Sequence, residues 1–244
     1  MPDNWLKQHE YSAVLLARRD IAPADLLMRP RENFSLKVGA VGMLLSSDAA
    51  LPEPAPAAPT ETPTAGFERS VEVGFGIVVL DAVVGGAIST KLGPDTDLKH
   101  GRQLTLTYED PVRDAIDVPD LQAWLEGAEV TGPQEARRWL GDGSLAVVTA
   151  VLRTAKLSIV AHGDDGEPIG LSAEEVQAIA GDQATVTGDP DAGPKLTFEV
   201  ATPVVFGFQA FRLVFEDEAF RALEPWTADS ELSAVGDARV EDAA

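Results

Sequence analysis

Hydrophobic positions along the chain change their period several times. A short apolar run from Tyr11 to Leu16 has the composition of a strand. The next stretch, Ile21-Ala22-Pro23-Ala24-Asp25-Leu26-Leu27, predicts a short helix with proline in its first turn. Residues 34–45 are extended, apolar and rich in Gly and Ala. Residues 51–66 hold five prolines and almost no large apolar side chain, which predicts a solvated, flexible loop.

After that loop the period becomes two. Val71, Val73, Phe75, Ile77 and Val79 share one face, with Ser70, Glu72, Gly74 and Gly76 on the other, and this alternation predicts a strand over 68–80. Leu104, Leu106 and Tyr108 alternate with threonines in a further short strand. Two helices follow. Residues 120–128 place Leu121, Trp124 and Leu125 at spacings of three and four after Pro119, and 133–140 open on proline and stop at Gly141. Residues 145–160 predict a long strand, apolar on both faces at first. Further along, Leu157 and Ile159 oppose Lys156, Ser158 and His162. Asp164-Asp165-Gly166 predicts a turn, and Ser172-Ala173-Glu174-Glu175 a capping box opening a helix to about Ala180. A loop over 188–194 leads to a strand in which Leu196, Phe198 and Val200 alternate with Lys195, Thr197 and Glu199, and 204–215 form a core strand. Residues 224–244 are acidic, with Trp226, Leu232, Val235 and Val240 as apolar exceptions. Long strands with intercalated helices and no internal repeat predict an α+β fold with a twisted, largely antiparallel sheet.

Composition narrows the function classes. At 244 residues the chain is long enough for a sizeable core without disulfides or a structural metal. Cysteine is absent, which excludes a thiolate metal site, a cysteine nucleophile and S-acylation. The net charge of −21 argues against nucleic acid as a partner and against adhesion of the intact chain to anionic lipid by bulk charge. Residues 1–10 lack an apolar signal core. The most apolar stretch, 74–88, contains Asp81 and falls short of the ~20 residues of a membrane helix. A cytoplasmic location is expected for the intact chain.

Candidate catalytic chemistry is thin. Gly74-Phe75-Gly76 begins like a dinucleotide fingerprint but lacks the third glycine and the following helix start, so its small residues read instead as a place of close packing. His162 beside Asp164 and Asp165 matches no metal spacing. No Gly-x-Ser-x-Gly elbow and no carboxylate pair stands out, so no cofactor, metal or catalytic residue is assigned, and an enzyme is the weaker class.

Two pairs of segments share one property. Residues 36–45 with 68–80, and 145–162 with 184–200, each include a strand with one apolar and one polar face. Such strands of ~9–11 residues can cross a bilayer in a closed barrel, although an ordinary half-buried sheet gives the same alternation. A resemblance bears on this choice. The run from Tyr11 to Leu16 with 21–27 is similar to the opening strand and first helix of bacterial gasdermins. Leu121-Gln122-Ala123-Trp124-Leu125, the strand from Leu145 to Leu152, and the segment from Pro203 to Leu213 resemble later elements of that family in the same order.

The resemblance implies a pore-forming effector of bacterial antiphage defence. It implies a core over 1–223 held inactive by a tail over 224–244 until a partner protease, caspase-like or other, removes that tail. The freed core then assembles into a large homo-oligomer with membrane lipids, and two hairpins per protomer enter the inner membrane. On this reading Leu223, Leu232 and Arg239 are cleavage candidates. Trp226, Leu232 and Val235 anchor the tail. Arg18, Arg19, Arg29 and Arg31, in a stretch with six bases against five acids over 1–40, make first lipid contacts. Val71, Val73, Phe75, Ile77, Leu157, Ile159, Leu196, Phe198 and Val200 form the bilayer face. The family often carries an acylated cysteine near its start, and this sequence has none. The competing reading is a soluble binding or scaffold module whose strands never leave the sheet.

Overall fold

The computed structural model describes residue 6 and residues 9–31, 34–59, 67–84, 101–170, 184–186, 194–226 and 234–237. Two long strands organise it: β10 (Leu145–His162) and β13 (Lys195–Glu216), paired antiparallel along most of their length. The other edge of β10 is shared in succession by β2 (Asp25–Arg31), β8 (Val112–Ala115) and β7 (Gln103–Glu109). Around this spine stand β1 (Ser12–Arg18), β3 (Phe34–Ala40), β5 (Ala55–Pro59), β6 (Phe67–Glu72), β11 (Pro168–Ile169), β12 (Ala184–Val186), β14 (Ala219–Pro225) and β15 (Ala234–Asp237). Together these make one sheet whose main path runs β1-β13-β10-β2-β3-β15. Among the described residues every ladder is antiparallel except β15 on β3. The short strands β4 (Leu45–Ser46) and β9 (Glu129–Val130) pair separately.

Among the described residues three α-helices pack on the sheet: α1 (Val73–Val84), α2 (Val118–Glu126) and α3 (Gln134–Gly141). The two later helices lie where the sequence places them. The Asp117 carboxylate caps α2 by accepting from the Asp120 amide at 3.1 Å, with Pro119 in the first turn. Leu121, Trp124, Leu125 and Leu140 then bury against Leu145, Val147 and Leu213. A second cluster joins Val14, Leu27, Val148, Phe208 and Trp226 between β1, β2, β10 and β13. The third lies at the far end of the long strands and includes one face of α1.

Several expectations are corrected. Residues 21–27 form a turn and the start of β2, not a helix. Leu26 and Leu27 lie opposite Val147 and Ala146 of β10 and are buried there, so tertiary pairing overrides local propensity. The Asp25 carboxylate accepts from the Ala22 amide at 2.7 Å, and Ala24 sits at φ +71. Within the expected loop 51–66, residues Ala55–Pro59 run as a strand on β8. Among the described residues this strand pairs on one side only, an edge position that tolerates proline. The strand expected over 68–80 ends at Glu72 and continues as α1, so Val73, Phe75 and Ile77 stand on a helix. Residues 36–45 and 68–80 are also not neighbours: β3 lies between β2 and β15, whereas β6 pairs with β7. The helix expected over 172–180 lies outside the described residues, as does the loop over 188–194 apart from Pro194.

Candidate functional site

Beyond the globular end, β6, β7, β10 and β13 form a four-stranded sheet with sharply different faces. Registers align the side chains in rows: Tyr108, Leu157 and Phe198; then Arg69, Leu106, Ile159 and Leu196; then Val71, Leu104 and Ala161. Leu104, Leu106, Ile159, Phe198 and Ala161 are completely inaccessible, and Tyr108 stacks on Phe206 with ring centroids 4.6 Å apart. Alternation along a strand puts these residues on one side and their neighbours in sequence on the other. Of the expected bilayer face, Val71, Leu157, Ile159, Leu196, Phe198 and Val200 lie on this dry side.

The opposite side is polar. It carries Glu68, Ser70 and Glu72 from β6, Gln103, Thr105, Thr107 and Glu109 from β7, and Lys156, Ser158 and His162 from β10. Lys195, Thr197 and Glu199 complete it from β13. Its groups bond across the strands. Ser70 and Thr105 hydroxyls are 3.1 Å apart, and Thr105 is 3.1 Å from His162 Nε2. Ser158 donates to Glu109 Oε1 at 2.6 Å, and Lys195 Nζ pairs with the same oxygen at 2.7 Å. Cross-strand hydroxyl and ionic pairs of this kind are normal for a wet sheet face. His162 thus belongs to this ladder and to the Asp164-Asp165-Gly166 turn, where its Nδ1 lies 3.2 Å from the Gly166 carbonyl. No group of three or more metal-ligating side chains occurs among the described residues.

What covers the dry side is α1. Val73, Ile77, Val79, Leu80 and Val83 bury against it. Gly76 is the point of closest approach: a Cβ there would stand 2.7 Å from Leu104 Cδ2 and 2.9 Å from Leu104 Cβ. The sequence reading of close packing therefore holds at Gly76, on a helix rather than a strand, whereas a Cβ at Gly74 would meet open space. Phe75 is half-buried under the Arg69 guanidinium, 5.3 Å from its ring centroid. At the helix end, Arg19 Nη2 donates to the Val83 carbonyl at 2.7 Å. α1 has no basic residue in its own last turn, so Arg19, remote in sequence, satisfies one of its terminal carbonyls. Arg18 bonds Asp20 through Nε at 2.8 Å, and that bond holds the Asp20 carboxyl below the ordinary carboxylate range. Arg29 and Arg31 belong to β2.

The tail candidates fall in three settings. Leu223 lies inside β14, opposite Leu213. Trp226 is buried in the central cluster, and its amide donates to the Ala210 carbonyl at 3.0 Å. Val235 lies in β15, opposite Ser35 of β3. Leu232 and Arg239 lie outside the described residues. Sequence reasoning missed three parts of this site: the pairing of β6 with β7, the helical state of α1, and the use of Arg19. The matching alternation of β6 and β7 was the available signal for the first; a single arginine in a turn gives none.

Comparison with known proteins places these features. The model of the Bacterial Gasdermin Family matches residues 14–222. The chain is 27% identical over 244 residues to a gasdermin bGSDM from a Desulfuromonadales bacterium, covering 98% of this chain and 91% of the relative. It is 26% identical to a gasdermin bGSDM from Lysobacter enzymogenes, over 89% of this chain and 82% of that one. In fold it is similar to a bacterial gasdermin from Bradyrhizobium tropiciagri, with a TM-score of 0.61 at 16% identity, covering 96% of this chain and 95% of the other.

Proposed function

Because the chain belongs to the bacterial gasdermin family, we propose that it is a pore-forming protein held in its resting state by its own C-terminal tail. The observation that carries this reading is the four-stranded sheet with one dry and one wet face, its dry face covered by α1. A strand that presents lipid-compatible side chains on one side and hydrogen-bonding ones on the other meets the requirement of a barrel wall.

The two inserting hairpins are then β6 with β7, joined through α1 and the chain that follows it, and β10 with β13. This pairing replaces the one expected from 36–45 and 68–80. Insertion requires α1 to leave the dry face and extend, so that Val73, Phe75 and Ile77 return to the alternation of Val71. Leu157, Ile159, Leu196, Phe198 and Val200 reach lipid without changing conformation.

The tail docks through β15 on β3 and is cut by a partner protease. Leu223 is a poor site because β14 is laddered to β13. We therefore place the cut after Trp226, whose burial among core residues supports counting it with the core. Loss of 227–244 moves the charge from −21 to −17, since that segment holds five acids and one base. The change favours approach to anionic lipid only modestly. Arg18, Arg19, Arg29 and Arg31 are the proposed lipid contacts, the inner membrane the destination, a large homo-oligomer the product, and antiphage defence by cell death the purpose.

Dye release from liposomes tests this. A chain carrying a specific protease site between Thr227 and Ser233 is compared before and after cutting. Leakage only after cutting is expected. Silence after verified cutting, across several lipid mixtures, sinks the pore reading in favour of a soluble module.

A further inference from the structure

The main path of the sheet has two ends, β1 and β15. Among the described residues β1 is laddered on one side only, to β13, and β3 has β2 on one side and the tail strand on the other. β15 is four residues long and lies parallel to β3, Ala234 opposite Phe34 through Asp237 opposite Lys37. It also touches β1. One short strand thus occupies the edge of β3 and stands against the other end of the sheet.

An edge stripped of its partner exposes a row of unpaired amides and carbonyls, which is a template for another strand. Two unlike edges on one molecule have a particular consequence. If β3 of one copy met β3 of another, the contact would be used up in a dimer. If β3 of one copy meets β1 of the next, the contact repeats head to tail, and such a repeat forms a ring where its rotation closes. We propose that residues 34–37 of β3, vacated when β15 leaves, take β1 (Ser12–Arg18) of a second copy of this chain as their new neighbour. The tail strand then acts as a stand-in for the adjoining protomer, blocking both halves of the contact at once. Departure of α1 assists, because α1 also packs on β1 and is tied to Arg19, the residue that follows β1, by the bond from Arg19 to Val83.

This inference rests on the tail-release reading above, and its test separates the two. The chain has no cysteine, so introduced thiols are unique. In the protease-site background, Ser35→Cys with Val235→Cys staples β15 to β3 in the observed register. After cutting, the oxidised protein is expected to give neither oligomers nor dye release, and reduction is expected to restore both. Release by the oxidised, cut protein overturns the edge assignment, whereas silence of the cut, reduced protein overturns the tail reading itself. Ser35→Cys alone, labelled with a short photo-crosslinker and assembled on liposomes from heavy and light isotopic stocks, gives the second readout. Mixed-isotope products joining position 35 to residues 12–18 are expected. Products joining it to other segments, or only to β1 of the same copy, refute the proposed neighbour.

Discussion

The two arms of the amphipathic sheet differ in how much of the proposed inserted form already exists. In the β10–β13 arm the strands are laddered from Lys156 opposite Glu199 to Val160 opposite Lys195, and their dry side chains are in place. In the β6–β7 arm the ladder stops at Glu72 opposite Gln103, and the chain turns into α1, which lies back over the dry face of both arms. One arm is a finished strand pair and the other is a strand pair folded onto a helix made from its own continuation. On the proposed pore reading the helix is the element with two states, and the β10–β13 arm is the platform it leaves.

Substitutions can break this comparison in order of size. Phe198→Ala removes a fully buried ring from the platform and is expected to cost about 3–5 kcal/mol, read by urea unfolding. Val71→Lys, at a half-buried site, should leave the chain folded yet abolish dye release after cutting, since a lysine at the bilayer midplane costs about 2–4 kcal/mol per copy. Gly76→Leu forces α1 off Leu104 at a cost of about 1–3 kcal/mol. Hydrogen exchange should rise across 73–84 and stay unchanged across 195–200, and equal loosening of both arms would refute the distinction. Arg19→Gln weakens the bond to Val83 and should cost about 0.5–1.5 kcal/mol, seen as faster exchange confined to the last turn of α1.

The smallest expected effect is of pH. Arg18 lowers the folded-state pKa of Asp20. That pairing therefore stabilises the fold above the unfolded carboxylate value and fades as the pH drops through the folded one. Acid titration of Asp20→Asn should lack this fraction of the pH dependence, with no change at neutral pH in the exchange of 195–200.

Much of the platform was legible from sequence because its pattern admits one reading. Leu196, Phe198 and Val200 against Lys195, Thr197 and Glu199 fit a strand and no helix, and the structure puts them on the faces expected. Residues 73–84 admit two. Val73, Phe75, Ile77 and Val79 satisfy period two, while the buried set Val73, Ile77, Leu80 and Val83 satisfies spacings of four, three and three. β-Branched composition favours the strand, and burial over the sheet decides for the helix. The turn before β2 was misread for a similar reason: Ile21 to Leu27 has a helical look locally, but Leu26 and Leu27 are held by β10. β15 was unreadable as a strand, because four residues carry too little periodicity.

The length of the paired segments has a consequence for transit through a bilayer. β6 and β7 are matched over six positions and β7 and β10 over seven, so the sheet projects roughly 20–23 Å at about 3.3 Å per residue. A tilted strand needs ~9–11 residues to bridge the hydrocarbon layer. A wall assembled from strands of this reach would stop short of the far leaflet. On the proposed insertion β6 and β7 have to lengthen by about three residues, and the nearest supply is the first turn of α1, so unwinding the cover and gaining the missing depth are one and the same displacement.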